Sequence, residues 1–369
     1  MTRSFPTRTF LCLNYGSSSL KYAMFSEDRE LLRQKKSLTC IEELPSLIHQ
    51  IAESLPEHPQ YVLHRVVHGM EHESPMRITE ETLKILEELT RINPLHNSIA
   101  FEGISLSLQL FGNSEHYAIF DTDFHRSIPE YARLYGVDYQ LYSQGIKKYG
   151  FHGISYSYLL SKSEELLKKK SPSLIMMHLG QGCSVCAVKE GASVDTSMGF
   201  TPLEGLLMVS RPGDVDAGVL LYMLRSGMPV EELERKLYRE AGIRAIAGVS
   251  SFEELMAMKK GGDERADLAF RAFLHRLVKY VGAYWFLLEG NVDALVFSGG
   301  IGENSPEVRE ELCRRLAFLG VRLDIDANRK SCKVISSEES TIKVLVLKTD
   351  EELQMVSILA EYLEGNKII

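Results

Sequence analysis

The sequence predicts an α/β protein built from two related domains. Strand-like apolar runs alternate with segments whose apolar residues recur every three or four positions, which is the spacing of an amphipathic helix. The chain has 369 residues, which is long for a single hydrophobic core. One local pattern occurs in both halves, at residues 10–25 and 174–188: an apolar run, a polar turn containing glycine, and a second apolar run. These features favour two domains of layered sheets and helices.

Eight segments have the composition and length of β-strands. They are residues 10–13, 20–25, 61–67, 117–120, 174–177, 184–188, 294–297 and 343–347. Apolar periodicity predicts helices over residues 41–55, 79–92, 155–170, 230–242 and 263–289.

The composition is that of an ordinary soluble globular protein, with 44% hydrophobic and 25% charged residues. A net charge of −8 argues against nucleic-acid binding, which usually needs a basic face. No apolar run approaches membrane-spanning length, and the N-terminus lacks a signal-peptide core. The six cysteines are too few for a disulfide scaffold, and Cys183 and Cys186 lie in an apolar run that favours buried thiols over zinc. We expect a reduced, cytoplasmic enzyme without nucleic-acid or membrane partners.

The first polar turn has the residue types that suit a phosphate. Asn14, Gly16, Ser17, Ser19 and Lys21 stand between its two apolar runs. Glycine lets backbone N–H groups approach a ligand closely, and hydroxyls with a lysine suit phosphate oxygens. For one such turn alone, a solvated loop would be the simpler interpretation. However, a second turn of this kind and a third glycine-rich turn, GGIGEN, favour a nucleotide between two domains, although Walker and Rossmann motifs do not occur there.

Five side chains lie at positions where a purely structural role would explain them poorly. They are Arg65 in an apolar strand, Asp121 at a strand end, His152 before a predicted helix, Arg211 in a loop and Glu351 after the last strand. Such an arginine is either ion-paired or ready for an anion. Taken singly, Asp121, Arg211 and Glu351 fit salt bridges or the acidic start of a helix, whereas for Arg65 and His152 a functional role is favoured. Together they match phosphoryl transfer: arginines hold phosphoryl oxygens, carboxylates hold Mg²⁺, and histidine donates to developing charge.

Ten motifs occur in the order and approximate spacing of acetate kinases: NYGSSSLK, HRVVHG, PLHN, FDTDFH, YGFHGIS, HLGQG, VDTSMGFTPLEGL, SRPGDVD, FSGGIGEN and TDEEL. The chain resembles that family from about residue 11 to residue 353. The resemblance implies two ribonuclease-H-like domains of the actin-like ATPase fold, a cleft between them, and a homodimer. It implies an N-terminal domain of residues 1–150 plus 354–369 and a C-terminal domain of residues 151–353. It also implies reversible phosphoryl transfer between ATP and acetate, giving ADP and acetyl phosphate, with Mg²⁺ or Mn²⁺.

The resemblance assigns roles to individual residues. The catalytic positions are matched by Arg65, Asp121, His152 and Arg211. The phosphate and nucleotide positions are matched by Asn14, Ser17, Ser19, Lys21, His96, His178, Gly180, Gln181, Gly182, Gly299, Gly300, Ile301 and Asn304. Acetate is expected at Arg65 and at an apolar lining formed by Val67, Leu95, Phe151 and Pro202. The metal is expected at Asn14 and Glu351, and the PLHN motif, with His96 and Asn97, is expected in a turn.

Several residues depart from the family pattern. Tyr15 replaces a usual alanine and is expected to crowd the cleft, Gln181 replaces an asparagine near the phosphates, and Tyr156 replaces a histidine. The largest departure is GVSSFEEL at residues 248–255, where an acidic residue replaces an arginine that helps hold adenosine in the family.

These departures leave three functions open. The first is an acetate kinase. The second is a related kinase that uses propionate, another nucleoside triphosphate or pyrophosphate. The third is an inactive paralogue that binds nucleotide or acyl phosphate, against which stands the retention of both arginines, His152 and two carboxylates.

Overall fold

The computed structural model of the chain describes residues 8–16, 19–38, 40–92 and 94–365, without the side chains of residues 94–96. The chain forms two compact units. The first contains Met1–Phe124, His152–Tyr158 and Asp350–Ile369, and the second contains His125–Phe151 and Leu159–Thr349.

These units differ from the predicted domain boundaries in two places. The segment 125–150, which the sequence places in the first domain, belongs to the second unit. The segments His152–Tyr158 and 350–353 belong to the first unit, where Ile154 and Met355 share one apolar core. No linker rich in glycine or proline marks these crossings, so the sequence carries no local signal for them.

Within the described residues, eleven strands form two sheets. The first sheet contains β1 (Thr9–Tyr15), β2 (Ser19–Ser26), β3 (Arg29–Ser37), β4 (Tyr61–Val66), β5 (Met76–Arg77) and β6 (Glu115–Phe120). The second sheet contains β7 (Leu174–Leu179), β8 (Cys183–Lys189), β9 (Ala192–Thr196), β10 (Ala294–Ser298) and β11 (Lys343–Val346).

Both sheets have the same strand order. In the first sheet, β3, β2 and β1 are antiparallel neighbours, β4 and β6 continue the sheet parallel to β1, and β5 lies at the edge. In the second sheet, β9, β8 and β7 are antiparallel, and β10 and β11 continue parallel to β7. The chain therefore contains one ribonuclease-H-like motif twice, as the repeated polar turns predict.

Helices connect and cover the strands. They are α1 (Leu44–Ser54), α2 (Glu80–Leu89), α3 (Pro94–Leu110), α4 (Glu130–Arg133), α5 (Tyr139–Ser143), α6 (Gly153–Leu167), α7 (Ala217–Arg225), α8 (Val230–Arg235), α9 (Gly242–Ala247), α10 (Phe252–Lys260), α11 (Glu264–Leu287), α12 (Gly299–Asn304), α13 (Pro306–Arg315), α14 (Ile325–Arg329) and α15 (Glu351–Gly365). Among the described residues, none of these helices combines the length and the apolar character needed to cross a bilayer.

All eight predicted strands and five predicted helices are confirmed, with shifted ends. The sequence misses β3, β5 and β9. Most residues of β3 are polar and at least partly exposed, so this strand lacks the apolar alternation that would mark it. Cys183 and Cys186 are buried free thiols, as predicted.

The predicted turn at the PLHN motif is wrong, because α3 begins there at Pro94. Proline suits the first turn of a helix, where its missing N–H has no helical partner to lose. Asn97 is buried, and its Oδ1 accepts from the His68 N–H at 3.1 Å. Its Nδ2 donates to the carbonyls of His68 and Leu89 at 2.9 and 3.1 Å. The amide therefore bonds to distant backbone rather than forming a local turn.

The expectation that Tyr15 crowds the cleft is also wrong, because its ring lies in the core of the first unit, 2% exposed. The Tyr15 hydroxyl lies 3.1 Å from His64 Nδ1, and His64 Nε2 lies 3.1 Å from His116 Nδ1. His116 Nε2 lies 3.1 Å from the Phe111 carbonyl, which can only accept. The O–H of Tyr15 and one N–H of each neutral histidine therefore all donate in the same direction. Burial lowers the pKa of both histidines.

Replacing Gly103 in α3 by alanine should lower the free energy of unfolding by about 1–3 kcal/mol, the usual cost of overpacking. A Cβ at Gly103 would lie 2.2 Å from Tyr15 Cε1, so the tyrosine ring would have to move. Urea unfolding measures the change. The control is Gly282→Ala in α11. Apart from its chain neighbours and the backbone of its own helix, no atom of the described residues lies within 4 Å of a Cβ placed there. That change should stabilise by about 0.5–1 kcal/mol. A penalty for Gly103→Ala that persists unchanged in a Tyr15→Ala background would contradict this explanation.

Candidate active site

Arg65 and Asp121 form a bidentate ion pair in the first unit. Arg65 lies on β4, and Asp121 directly follows β6, the parallel neighbour of β4. Arg65 Nε donates to Asp121 Oδ1 at 3.1 Å, and Nη2 donates to Oδ2 at 2.6 Å. Two parallel bonds fix the plane of the guanidinium as well as its position. Of the two states that the sequence allows for Arg65, the structure shows the ion-paired one.

Asn14 and Glu351 complete the contacts of Arg65. Its Nη1 donates to Asn14 Oδ1 at 2.9 Å and to Glu351 Oε2 at 3.4 Å. Asn14 Nδ2 in turn donates to Glu351 Oε2 at 2.9 Å and to Glu352 Oε1 at 2.8 Å. Four residues predicted for the site thus come together from β1, β4, the end of β6 and the start of α15.

Burial and charge act in opposite directions on this cluster. Burial raises the pKa of the Asp121 carboxyl, and the charge of Arg65 opposes that rise. Burial alone would lower the pKa of the Arg65 guanidinium, but Asp121 and Glu351 outweigh it and raise the pKa above its ordinary value. Asp121, Glu351 and Glu352 are only 0%, 6% and 5% exposed. The interior of the cluster therefore has more negative than positive charge.

The donor atoms of this cluster fit a divalent cation. Mg²⁺ prefers oxygen ligands and is usually held by one or two carboxylates together with substrate phosphates and water. In the part of the chain that the structure describes, no group of three or more His, Cys, Asp or Glu residues could hold a metal by itself. Asp121 and Glu351 are the two carboxylates of the cluster that could bind such a cation, together with ligands from outside the cluster. Asn14 is a hydrogen-bond bridge here, because its Oδ1 accepts from Arg65.

A second arginine at this cluster has no signal in the sequence. Arg33, on β3, donates through Nη1 to Glu352 Oε2 at 2.8 Å. Its Nη2 donates to the two oxygens of Asp350 at 2.9 and 2.8 Å, and its Nε donates to Glu30 at 2.7 Å. Only the pairing of β3 with β2 brings Arg33 to the start of α15, and β3 is a strand that the sequence misses.

His152 has an unusual backbone conformation beside Asp121. Its φ is 60°, in the left-handed region that residues with a Cβ rarely adopt. A backbone hydrogen bond from His152 lowers the pKa of the Asp121 carboxyl, and the Gly153 N–H donates to the Asp121 carbonyl at 2.8 Å. A Cβ at position 153 would lie 2.1 Å from that carbonyl oxygen, so only glycine fits. These contacts fix the first turn of α6 on Asp121.

The first polar turn is a hairpin between β1 and β2. Asn14 pairs with Lys21, and the Gly16 N–H donates to the Ser19 carbonyl at 2.9 Å. Ser19 is half-buried and Lys21 is exposed. Ser17 lies outside the described residues.

In the second unit, Arg211 lies in the loop between β9 and α7. The Met208 N–H donates to the Arg211 carbonyl at 3.0 Å, and the Ile243 N–H from α9 donates to the Met208 carbonyl at 2.9 Å. Gly242, with φ 68°, lies directly under this loop, and a Cβ there would be 2.6 Å from the Arg211 carbonyl oxygen. The start of α9 therefore sets the position of the Arg211 backbone.

The electrostatic environment of Arg211 is opposite to that of Arg65. Burial lowers the pKa of the Arg211 guanidinium, and Tyr238 and Cys183 offset only part of that effect. A bound anion would counter the cost of burial, so this environment is suited to an anionic ligand.

Two glycine-rich turns of the second unit lie side by side. β7 and β10 are parallel neighbours, so the turns that follow them share one edge of the sheet. The Gly180 N–H donates to the Gly182 carbonyl at 3.0 Å and closes the first turn. A Cβ on Gly180 would lie 3.8 Å from His178 Nε2 and 3.9 Å from the Gly300 nitrogen. The structure thus brings together four residues predicted to face the nucleotide.

The second of these turns also depends on glycine. Gly299 has φ 76°, and a Cβ there would lie 2.6 Å from the Leu179 carbonyl oxygen. Asn304 Nδ2 donates to the Gly300 carbonyl at 2.9 Å, so its side chain braces α12. Ile301 is buried, which indicates a packing role for its side chain. Gln181, in the neighbouring turn, is exposed.

The predicted acyl lining is divided between the two units. Val67 belongs to the first unit, whereas Phe151 and Pro202 belong to the second, and all three side chains are buried. The side chains of Leu95 and His96 are outside the described part of the chain.

A buried histidine holds the segment before His152. His125 Nε2 lies 3.0 Å from the Phe151 carbonyl, and Nδ1 lies 2.9 Å from Ser193 Oγ. Because the carbonyl can only accept, Nε2 donates and Ser193 donates to Nδ1. Burial lowers the pKa of His125 to about 4.

A family model described as the Acetokinase family matches residues 38–357. The chain belongs to the acetokinase family. The acetate kinase of Carboxydothermus hydrogenoformans is 39% identical over 94% of this chain and 96% of its own length. Two solved structures are also similar. A propionate kinase from Francisella tularensis has a TM-score of 0.88 at 33% identity, covering 95% of this chain and 98% of its own. Porphyromonas gingivalis acetate kinase has a TM-score of 0.84 at 32% identity, covering 96% and 100%.

This membership confirms the predicted actin-like ATPase fold with two domains. It also confirms the predicted reaction class, a phosphotransferase whose acceptor is a carboxyl group.

The departure from the acetokinase pattern at GVSSFEEL has a structural explanation. Ser251 Oγ accepts from the Glu254 N–H at 3.1 Å and caps α10. Glu254 Oε2 accepts from the Ser250 N–H at 2.8 Å. The Phe252 ring lies in the core, with its centroid 5.2 Å from that of Phe273. The acidic residue therefore bonds to the backbone just before the helix, and the aromatic residue two positions earlier packs in the core.

Tyr156, another departure from the acetokinase pattern, is fully buried in the first unit. Its ring centroid lies 6.2 Å from that of Phe124, so it packs beneath the Asp121 segment.

Replacing His125 by asparagine should weaken the acid sensitivity of the fold. The folded pKa is about 4, and an unfolded histidine has a pKa near 6.5. The native state therefore binds fewer protons, and stability is lost as pH falls from about 6.5 towards 4. Between pH 7.5 and pH 5 the loss from this residue is about 2 kcal/mol. Urea unfolding at both pH values should show that loss in the wild type and not in the variant.

The control is His49→Asn, at an exposed position on α1, which should keep the wild-type pH dependence. Equal acid sensitivity in the wild type and His125→Asn would contradict the assignment.

Proposed function

We propose that this chain transfers a phosphoryl group reversibly between ATP and acetate, with Mg²⁺, giving ADP and acetyl phosphate. The observation that carries the proposal is the buried cluster of Arg65, Asp121, Asn14 and Glu351, in a chain of the acetokinase family. An inactive binding paralogue would have no chemical need for this combination of charges.

Arg65 orients the acceptor and the transferring group in this proposal. A guanidinium has five N–H donors, and the contacts with Asp121, Asn14 and Glu351 use four of them. Within the described residues, one N–H of Nη2 is left for an incoming oxygen. Because the paired carboxylate fixes the plane of the guanidinium, that N–H keeps a defined direction, as catalysis by positioning requires.

Arg211 and His152 supply the remaining positive and donor groups. Burial makes the Arg211 site favourable for an anion, which suits phosphoryl oxygens. His152 is held by its backbone contacts beside Asp121, from where its ring is assigned to donate to charge on the phosphoryl group in the transition state. No general base is needed, because a carboxylic acid with a pKa near 4 is already ionised at neutral pH.

Glu351 and Asp121 would hold the cation, directly or through water. When bound, Mg²⁺ neutralises phosphate charge. Hydrogen bonds from the Asn14 amide and from Arg65 fix the position of the Glu351 carboxylate. The bidentate pair with Arg65 and the start of α6 fix the position of Asp121. Mn²⁺ has the same preference for oxygen ligands and would substitute.

Acetate is the proposed acceptor because the positions that the acetokinase resemblance assigns to the acyl chain, Val67, Phe151 and Pro202, are all apolar. Propionate stays a weaker alternative. The similarity of the chain to a propionate kinase is one reason to test it. The second reason is that an apolar pocket separates substrates that differ by one methylene by only about 1–3 kcal/mol.

The identity of the phosphoryl donor is the second open question. Glu254 and Phe252 have structural roles in α10, so the donor's base would lack the polar partners that the family pattern provides there. We expect relaxed base preference, because the two turns predicted to face the phosphates keep their glycines at Gly180 and Gly299.

A homodimer is also proposed. Exposed apolar side chains on α7 support it: Val219, Leu221 and Tyr222 are 48%, 49% and 72% exposed. Sedimentation equilibrium should give twice the mass of one chain, and a monomer at micromolar concentration would reject this proposal.

Replacing Arg211 by alanine should lower kcat at least about a hundredfold, because a positioned charge on the transferring group is lost. For Arg65, lysine is the better substitution, since alanine would leave buried carboxylates unpaired. Arg65→Lys keeps the charge but loses the bidentate geometry, and kcat should again fall about a hundredfold.

Arg271→Ala is the control, because that arginine is 65% exposed and pairs with Asp267 on the surface of α11. Near-normal turnover in either Arg211→Ala or Arg65→Lys would remove that residue from the mechanism.

The test of the proposed function is an acyl-phosphate trapping assay. Acetate, propionate and butyrate are each offered with Mg²⁺ and ATP, GTP or pyrophosphate, and hydroxylamine captures the product. The strongest signal is expected with acetate and a nucleoside triphosphate. Signal only with pyrophosphate would change the donor. A folded protein that binds nucleotide but gives no product with any pair would support the inactive paralogue.

A further inference from the structure

We propose that Arg33 is a positioning residue for Glu351, and through it for the divalent cation. This inference rests on the proposed function, since it concerns the cation of that reaction. Arg33 lies on β3 and reaches the start of α15. It acts on the two neighbours of Glu351 in the chain, Asp350 and Glu352.

The contacts of Arg33 fix the start of α15 from both sides. Nη2 binds both oxygens of Asp350, and Nη1 binds Glu352 Oε2 at 2.8 Å. The guanidinium also lies 5.7 Å from the centroid of the Phe25 ring. The directions of these hydrogen bonds depend on the planar guanidinium of arginine. A lysine ammonium has no such planar group. Residues 350 and 352 are therefore held by one rigid group.

Glu352 connects Arg33 to the catalytic cluster. One oxygen of Glu352 accepts from Arg33, and the other accepts from Asn14 Nδ2 at 2.8 Å. The same Nδ2 donates to Glu351, and the other end of the Asn14 amide accepts from Arg65. A rotation of the Glu352 carboxylate would therefore move the amide that holds both Glu351 and Arg65.

Stability alone does not account for this arrangement. Arg33 and Asp350 are 33% and 26% exposed in their side chains, and such ion pairs contribute little to stability. The side chain of Glu352 is 7% exposed, so it needs a partner, but one arginine contact would satisfy it. The additional bidentate contact to Asp350 serves to fix Glu351 between its two neighbours.

The charge balance of the enlarged cluster also favours a divalent cation. Five carboxylates and two guanidinium groups belong to it: Glu30, Asp121, Asp350, Glu351, Glu352, Arg33 and Arg65. Three negative charges remain, and one Mg²⁺ would neutralise two of them. Without Arg33 the acidic side chains would repel one another more strongly and lose their fixed directions.

The test is Arg33→Gln, compared with Arg77→Gln. Arg77 lies on β5 of the same sheet, is 61% exposed and pairs with Glu115, away from the cluster. Binding of Mn²⁺ in the presence of ADP is measured by electron paramagnetic resonance, together with kcat, KM for acetate and urea unfolding. In Arg33→Gln the Mn²⁺ dissociation constant should rise about tenfold, as when a residue behind a metal ligand is lost. kcat should fall about tenfold or more while KM for acetate stays within about twofold.

Arg33→Lys keeps the charge and should give an intermediate Mn²⁺ affinity, which also covers the case in which Arg33→Gln does not fold. Arg77→Gln should match the wild type in every measurement. The inference is overturned if the Arg33 variants lose stability while Mn²⁺ affinity and kcat stay at wild-type values. Failure of the wild type itself to bind Mn²⁺ with ADP and to form acetyl phosphate would instead reject the proposed function.

Discussion

The buried ion pair of Arg65 and Asp121 is the interaction on which the first unit's site depends. Neither group is stable in this position alone, because an unpaired buried charge costs several kcal/mol, on the order of 3–5. Once paired, Arg65 directs its Nη1 to Asn14 and Glu351. Asp121 in turn holds the start of α6 through its carbonyl and the Gly153 N–H. One pair thus determines where four distant parts of the chain meet.

Sheet geometry explains why this pair forms. Arg65 lies near the carboxyl end of β4, and Asp121 follows the carboxyl end of the parallel neighbour β6. Parallel strands place their carboxyl ends at one edge, where sites of α/β proteins collect. β1 runs parallel to β4 and brings Asn14 to the same edge. The second sheet repeats this arrangement with the turns after β7 and β10. The duplicated motif therefore produces two polar edges from one topology.

The sequence predicts what depends on local pattern and misses what depends on long-range pairing. The polar turns, the glycines and Arg65 in an apolar strand are visible because their residue types conflict with their surroundings. Arg33 is not visible, since β3 is polar and becomes a strand only by pairing with β2. The turn expected at Asn97 fails for the same reason: its amide bonds to the backbone of residues 68 and 89 rather than to its own segment. Tyr15 is buried because α3 has a glycine opposite its ring.

The phosphate end and the base end of the phosphoryl donor place different demands on the chain. Charge that develops at the phosphoryl group needs groups held in advance, and any loss there lowers the rate itself. The base contributes only binding energy, which other contacts can replace. This chain keeps the charged groups of the first unit in a dense hydrogen-bond network. In contrast, Phe252 packs in the core and Glu254 bonds to the Ser250 N–H just before α10. Structural roles at residues 252 and 254 are compatible with the chemical step, because base recognition can weaken without loss of that step, whereas Arg65 and Asp121 have no such freedom.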